Sequence, residues 1–353
     1  MYRLAIFPAI LFFFISINIR IWEEHGIDYE RALQAEAFRT EGKWSFMFFS
    51  LGLYILVLTS MLVYMMAVGY DAMGVPGLGS SWLHPIVLFF ILIIWFIFPS
   101  YRFFGHVRFY ILDLLQRTIA APLYPVSFKD VWFADQLTSL GDVLFELQFI
   151  ICIYPANFIQ QVKTFCSSTR SIGLPILNVL PFWCRFWQCL RCYRDTRQTS
   201  HLVNAGKYAS SVLPIILAFF DRVSPKPNHY KTMWLLANIT SLVYKFIWDI
   251  YKDWSLFTNT KETKNTLLRN ILLFDPIWYY VAIVCNLLLR CSWLIVLLIR
   301  SYVEMGTTAV EYITWCVVFF ELFRRFVWNI FRVEVEHINM GLAVGAKRDK
   351  IES

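Results

Sequence analysis

Two adjacent arginines stand inside a hydrophobic run near the end of the sequence. In ELFRRFVWN, Arg324 and Arg325 lie among Phe, Val and Trp residues that are typical of a membrane interior. A cation at the centre of a bilayer costs roughly 2.5–3.5 kcal/mol on insertion scales, so two together need partners or a function. Glu321 precedes them in the orientation that favours an acid–base pair on one helix. One carboxylate does not neutralise two guanidinium groups.

Other cations in apolar segments fit the same chemistry. Arg290 lies in a second hydrophobic run, with Trp293 one helical turn further on, and HLVNAGKYASS places Lys207 and Tyr208 at the start of a predicted helix. Guanidinium groups stay charged and bind tetrahedral oxyanions with a planar fork of donors. These residue types therefore predict an oxyanion site. Trp293 and Trp328 lie one turn from an arginine, where a ring can stack on the cation or control passage.

Acidic and polar residues occupy the same kind of segment. One set has the spacing i, i+3, i+4 and i+7 and so lies on one stripe of a predicted helix. It consists of Asp135, Thr138, Ser139 and Asp142. Asp249 and Asp253 lie one turn apart in another segment, and their mutual repulsion predicts a cation nearby.

These acids allow two interpretations. Phosphate near pH 7 carries a proton that Asp135 or Asp249 can accept as a hydrogen bond, whereas sulfate has none, so the acids favour phosphate. Asp249, Asp253 and Glu321 would hold the cations in place and keep the anion weakly bound. Nearly balanced charges are also consistent with a purely structural network of ion pairs. Both interpretations stand at this stage.

The composition indicates what positions these residues. Of 353 residues, 58% are hydrophobic and 16% are charged, against roughly 25% charged in soluble proteins. Apolar runs long enough to cross a bilayer recur along the chain. We therefore predict an all-α polytopic membrane protein with eight to ten transmembrane helices and no separate soluble domain. The candidate segments are 4–22, 44–68, 83–98, 103–121, 132–154, 173–190, 208–220, 233–251, 271–300 and 312–332.

Several function classes are disfavoured. The formal charge of +7 is spread through short loops, unlike the basic face of a nucleic-acid-binding protein. The cysteines, which include Cys184, Cys189 and Cys192, lack a well-placed fourth zinc ligand, so neither a metal nor a cofactor is expected. No His-Asp or Ser-His pair has catalytic spacing, so we do not expect an enzyme.

Topology is ambiguous. The basic tail 341–353 favours a cytosolic C-terminus. The loop 69–81 has no Lys or Arg and by the same rule lies outside the cytosol, yet an even number of helices would place it in the cytosol.

Four motifs in order resemble the EXS family of phosphate exporters. They are LPFWCRFWQCLRCYRDT (180–196), HLVNAGKY (201–208), IWDIYKDWSLF (247–257) and FELFRRFVWNIFRVEVEHINM (320–340), and ADQLTSL (134–140) fits as well. In length and layout the chain is similar to a yeast Golgi member, the ER-retention-defective protein, which lacks the SPX domain that senses inositol pyrophosphates in the exporters. Gating by these molecules is therefore expected to be absent or supplied by another chain.

The resemblance implies a phosphate path, with Thr138 where the exporters have Asn. Its residues would be Asp135, Thr138, Lys207, Tyr208, Asp249, Asp253, Arg290, Trp293, Glu321, Arg324 and Arg325. It also implies a division into scaffold helices in 1–125, which also offer a homodimer surface, a core with the anion path in 126–340, and a short basic cytosolic tail in 341–353.

The resulting expectation is a Golgi membrane protein that moves inorganic phosphate from the lumen to the cytosol. It would thereby support retention of Golgi glycosyltransferases and ER proteins. The expected partners are inorganic phosphate, the lipid bilayer, and Golgi glycosyltransferases or coat components. The alternative function is a sorting or retention factor for Golgi membrane enzymes that transports nothing, and the alternative locations are the plasma membrane or another endomembrane.

Overall fold

The computed structural model describes residues 2–35, 44–72, 83–141, 143–144, 147, 173–225, 229–257, 268–302 and 307–352. Within these residues the regular structure consists of twelve α-helices and one π-helical turn, with no strand. The predicted all-α fold is confirmed.

The helices are numbered in chain order. They are α1 (Arg3–Glu24), α2 (Tyr29–Leu33), α3 (Ser45–Ala72), α4 (Leu83–Ile97), α5 (Gly105–Ile119), α6 (Phe128–Thr138), α7 (Gly173–Thr196), α8 (Thr199–Val223), α9 (Tyr230–Trp248), the π turn (Asp249–Asp253), α10 (Pro276–Arg290), α11 (Ser292–Tyr302) and α12 (Thr307–Glu352).

Four described segments are long and apolar enough to cross a bilayer, which takes about 20 helical residues. They are Arg3–Glu24, Ser45–Tyr70, Thr199–Val223 and Pro276–Ile299. A shorter apolar helix covers Leu83–Ile97. These segments make the chain a multi-pass membrane protein, as predicted, while the number of eight to ten spans stays a prediction.

The segment predicted over 271–300 is two helices. Pro276 occupies the first turn of α10, where its missing N–H costs no hydrogen bond. At the other end, the backbone N–H of Cys291 is shared between the carbonyls of Leu287 and Leu288, both at 3.1 Å, and the chain turns there. Arg290 and Trp293 therefore lie on successive helices rather than on one, which corrects the sequence prediction.

Two other predicted boundaries are also wrong. Helix α8 begins at Thr199, so Lys207 and Tyr208 lie in its interior and not at its start. Helix α6 begins at Phe128, because the Asp130 carboxylate accepts hydrogen bonds from the Ser127 backbone N–H and hydroxyl, each 2.8 Å. It ends at Thr138, and most of the predicted segment beyond Gly141, including Asp142, lies outside the described residues.

Helix α12 lies at the centre of the packing. It contacts α1, α2, α10, α11 and the π turn, while α7, α8 and α9 pack on one another in sequence. Aromatic rings join α12 to α1, for example Phe7 to Trp315 at 5.2 Å and Phe14 to Phe326 at 5.3 Å between centroids. The helix continues to Glu352, so the predicted tail 341–353 is helical over its described residues.

Candidate anion-binding cavity

A cavity of about 330 Å³, many times the space that one water molecule needs, lies among α6 to α12 and the π turn. The described residues of α1 to α5 do not line it. The structure brings together all eleven residues of the predicted path around this cavity, namely Asp135, Thr138, Lys207, Tyr208, Asp249, Asp253, Arg290, Trp293, Glu321, Arg324 and Arg325.

The negative charge of Asp135 is compensated by Arg185 of α7, which does not line the cavity. Arg185 Nε donates to Asp135 Oδ1 at 2.8 Å, and the Tyr208 hydroxyl donates to the same oxygen at 2.7 Å. Arg185 is 2% exposed and also donates to the Gln188 side chain at 2.5 Å. Sequence reasoning missed Arg185, although the signal was the same as for Arg290, a single arginine among apolar residues.

Asp249 is the acid around which the α10 and α12 arginines meet. Its Oδ2 accepts a short hydrogen bond from Arg290 Nη2 and another from Asn286 Nδ2 at 3.0 Å, and Arg324 Nη1 lies 3.7 Å away. Asp249 begins the π turn, which closes with a hydrogen bond from Trp254 N to Asp249 O at 2.8 Å. The cation predicted beside the two aspartates is therefore confirmed.

The adjacent arginines of α12 have different partners. Arg324 donates from Nε at 2.8 Å and from Nη2 at 2.5 Å to the two oxygens of Glu321. This bidentate pair is the predicted acid–base pair and is confirmed. It leaves Glu321 no charge to offer to the neighbouring arginine.

Arg325 is bound by neutral groups. Its Nε donates to the Ser139 hydroxyl at 2.9 Å and its Nη2 to the Thr138 hydroxyl at 3.0 Å. Its guanidinium carbon lies 4.6 Å from the centre of the Trp328 ring, so the stacking suggested for Trp328 is confirmed. Among the described residues no carboxylate lies within 4.0 Å of it. Arg325 is 7% exposed, so its guanidinium is buried beside the cavity without an ion-pair partner among the described residues.

Thr138 has no hydrogen left for an anion in this arrangement. Its hydroxyl donates to the backbone carbonyl of Asp135 at 2.7 Å and accepts from Arg325. Thr138 therefore offers no donor to the anion here, because one hydroxyl has one hydrogen. Thr138 instead orients Arg325, together with Ser139, whose hydroxyl donates to Glu321 at 2.8 Å.

Lys207 is a second cation without an acid partner in the described part of the chain. The side chain is 6% exposed, and its ammonium lies 4.4 Å from the Tyr208 ring centre and 5.1 Å from that of Trp248. It forms no hydrogen bond or ion pair with any residue that the structure describes. The charges that act on it most strongly include Asp253 and Asp135, both on the cavity wall.

The charge around the cavity is not balanced pair by pair. The described lining contains five cations, Lys207, Lys245, Arg290, Arg324 and Arg325, and four carboxylates, Asp135, Asp249, Asp253 and Glu321. Asp135 is bound to Arg185, which does not line the cavity, and Asp253 accepts from Trp328 Nε1 at 3.2 Å. A purely structural network would give each cation an acid, and the described residues do not provide this.

A second cavity of about 220 Å³ adjoins the first. The two share the lining residues Asn178, Pro214, Ile215 and Asn238. Trp293 of the first cavity lies edge-on to Trp234 of the second, with ring centres 5.8 Å apart and an angle of 80° between the rings. No arginine among the described residues stacks on Trp293, whose ring contacts Trp234, and control of passage by Trp293 stays a prediction.

One face of α9 and the π turn lines both cavities from end to end. Trp234 at one end and Asp253 at the other are nineteen positions apart. At ~1.5 Å per residue this face is roughly 28 Å long, close to the ~30 Å thickness of the hydrocarbon core. The residues that line it are Trp234, Asn238, Ser241, Leu242, Lys245, Asp249 and Asp253.

Comparison with known proteins agrees with the sequence motifs. The sequence profile of the EXS family matches residues 1–338. The chain belongs to the EXS family. The relatives of this EXS protein include Xenotropic and polytropic retrovirus receptor 1 homolog of Xenopus laevis, 35% identical over 272 residues, or 73% of this chain and 39% of the relative. Solute carrier family 53 member 1 of Homo sapiens is 34% identical over 279 residues, or 73% of this chain and 40% of the relative. The EXS chain thus spans about two fifths of the length of these curated relatives.

Proposed function

We propose that this EXS protein transports inorganic phosphate and that the anion passes through the cavity described above. The observation that carries the proposal is that two cations beside that cavity have no acid partner among the described residues. Arg325 and Lys207 are both buried, and neither forms an ion pair with a carboxylate that the structure describes. Such a charge is costly at membrane depth unless it is compensated. A visiting anion supplies the compensation that the described residues leave out.

The donors suit a tetrahedral oxyanion. The guanidinium of Arg325 is held in place by Ser139 and Thr138, so its orientation is fixed before the anion arrives. Fixed donors lose little conformational freedom on binding. Lys207 contributes an ammonium with three donors that is not bonded to any acid that the structure describes.

Phosphate is favoured over sulfate by the acids. Asp135 accepts both of its hydrogen bonds at Oδ1, and Asp249 accepts its bonds at Oδ2. The second oxygen of each carboxylate accepts no hydrogen bond from the described residues. A protonated phosphate has a hydrogen to donate to such an oxygen, whereas sulfate at neutral pH has none.

The same acids make release feasible. Asp249, Asp253 and Glu321 lie on the cavity wall beside the cations and limit how tightly an anion is held. A conducting path requires binding that is strong enough to admit the ion and weak enough to let it leave. We propose channel-like or uniport movement along the α9 face, with the helices before residue 126 as a scaffold and a surface for a homodimer.

We further propose the Golgi membrane as the location and lumen to cytosol as the direction. Glycosylation in that lumen leaves phosphate from nucleotide hydrolysis, and this phosphate has to be returned to the cytosol. Retention of glycosyltransferases and ER proteins would then depend on phosphate flux. Fluorescence microscopy of the tagged chain tests the location. Measurement of lumenal phosphate in cells from which the chain has been deleted tests the direction of transport.

Reconstitution into liposomes tests the transport proposal. The purified chain should carry labelled phosphate across the membrane, and unlabelled sulfate should compete poorly. Arg325→Gln should reduce uptake at low phosphate, whereas Arg194→Gln, at an exposed position of α7, should not. A folded protein without phosphate flux, or one that carries sulfate equally well, would contradict the proposal. If the folded protein transports no phosphate but binds Golgi enzymes, and if deletion of 341–353 abolishes this binding, the sorting function would be favoured.

A further inference from the structure

Lys245 is a lining cation that the predicted path did not include. It lies on the cavity-facing side of α9, four residues before Asp249 and eight before Asp253. The other lining residues of α9 towards Trp234 are uncharged. Arg222 of α8 lines the second cavity, and Lys245 is the first charged residue that the α9 face adds beyond it.

The acid at the matching spacing, Asp249, is paired with a different cation. A lysine and an aspartate four residues apart face each other on a helix, but the bonds of Asp249 are made to Arg290 and Asn286. Lys245 has no hydrogen bond and no ion pair within the part of the chain that the structure describes. The charged groups that act on it are Arg290, Glu321, Arg324 and Asp249, two of each sign.

At its position along α9, the Lys245 side chain does not readily extend to the water at the membrane interface. At ~1.5 Å per residue it lies roughly 12 Å along the helix from Asp253 and roughly 16 Å from Trp234, near the middle of the 28 Å face. Lysine side chains near helix ends extend to the interface, but one at this depth reaches it less readily. Its ammonium therefore depends on the cavity for contact with polar groups.

We propose that Lys245 is an anion-binding residue of the path, which captures phosphate arriving from the second cavity and passes it to the arginines of α10 and α12. This inference rests on the proposed phosphate transport. An ammonium is a compact charge with freely rotating donors, unlike the fixed fork of a guanidinium. It suits a brief contact in which the anion has no fixed orientation. Lys245 therefore helps to capture phosphate when the phosphate concentration is low.

Phosphate uptake into proteoliposomes, measured over a range of concentrations for wild type, Lys245→Gln and Lys245→Arg, tests this role. Lys245→Gln should raise the KM for phosphate by about threefold to tenfold with a similar maximal flux, since it removes one attracting charge. Lys245→Arg should stay within about twofold of wild type, because the charge is retained. Lys252→Gln is the matched control, because Lys252 is an exposed lysine of the adjoining π turn.

Thermal unfolding in detergent separates binding from structure. Removing a half-buried cation that has no partner among the described residues leaves no described acid unpaired, so Lys245→Gln should melt at or above the wild-type temperature. A lower melting temperature together with lower maximal flux would show a structural lysine and overturn the inference. An unchanged KM in Lys245→Gln, with wild type transporting phosphate, would overturn the role of Lys245 alone. No flux in folded wild type would overturn the proposed function and this inference with it.

Discussion

Replacing Arg325 by glutamine should weaken phosphate binding and leave the fold intact, whereas the same change at Arg324 should damage the fold. The two arginines are adjacent in the sequence, equally large and both buried, so they form a matched pair. They differ in what holds them. Arg325 is bound by two hydroxyl groups, and Arg324 by the carboxylate of Glu321.

The expected loss in the Arg325 variant follows from one charge-assisted contact with the anion. A hydrogen bond to a charged group contributes ~1.5–3 kcal/mol, which corresponds to about 10- to 100-fold in affinity. The fold should tolerate the change, because Ser139 keeps its bond to Glu321 and Thr138 keeps its bond to Asp135. The uncompensated cation is also removed.

The expected loss in the Arg324 variant is one of stability. It leaves Glu321 with the Ser139 hydroxyl as its main partner and takes a cation away from Asp249. Breaking a fully buried pair costs ~3–5 kcal/mol. Because the Glu321 side chain is 34% exposed, we expect a smaller cost of about 1–2 kcal/mol, since water compensates part of the charge.

Two assays distinguish these effects. Differential scanning fluorimetry in detergent reports the melting temperature, and uptake of labelled phosphate into proteoliposomes reports the apparent affinity per folded protein. Arg325→Gln should lose affinity at an almost unchanged melting temperature. The reasoning would be refuted if Arg325→Gln bound phosphate as wild type does, or if it melted as low as Arg324→Gln.

Three further predictions follow from individual contacts. Asp135→Asn should destabilise the protein by about 3–5 kcal/mol because it leaves Arg185 without its acid. Adding Arg185→Met should restore part of the melting temperature, and no recovery would contradict the pairing. Trp328→Phe keeps a ring beside Arg325 but removes the Nε1 donor to Asp253, so the KM of uptake should stay within about threefold, while Trp328→Ala should raise it further. Glu334→Gln breaks the 2.5 Å pair with Arg269 at a site outside the cavity lining. Breaking a buried pair costs ~3–5 kcal/mol of stability, so this variant should melt several degrees lower. Phosphate uptake per folded protein should be unchanged.

The lining of the cavity could be predicted from the sequence because charge is rare in hydrophobic segments. Each of Asp135, Arg290 and Arg325 was recognisable from its apolar neighbours alone, and all three lie on the cavity wall. The same signal was present for Arg185 and Lys245. Neither was selected, although each carries the same signal as Arg290, a single cation among apolar neighbours.

The pairing of these side chains could not be predicted, because it depends on how distant helices pack. Arg325 bonds to Thr138, which is 187 positions away, and Arg185 bonds to Asp135, which is 50 positions away. Hydropathy also placed the start of α8 too late. Polar residues such as Lys207 face the cavity from inside that helix, so the helix extends beyond its apolar stretch.

The most direct test of the account is a structure determined by electron cryomicroscopy at saturating phosphate, compared with one in phosphate-free buffer. The account predicts tetrahedral density in the cavity, within hydrogen-bonding distance of the Arg325 guanidinium and the Lys207 ammonium, in the phosphate sample only. A cavity without such density at saturating phosphate, with both side chains bonded to carboxylates, would contradict the claim that these cations bind a transported anion.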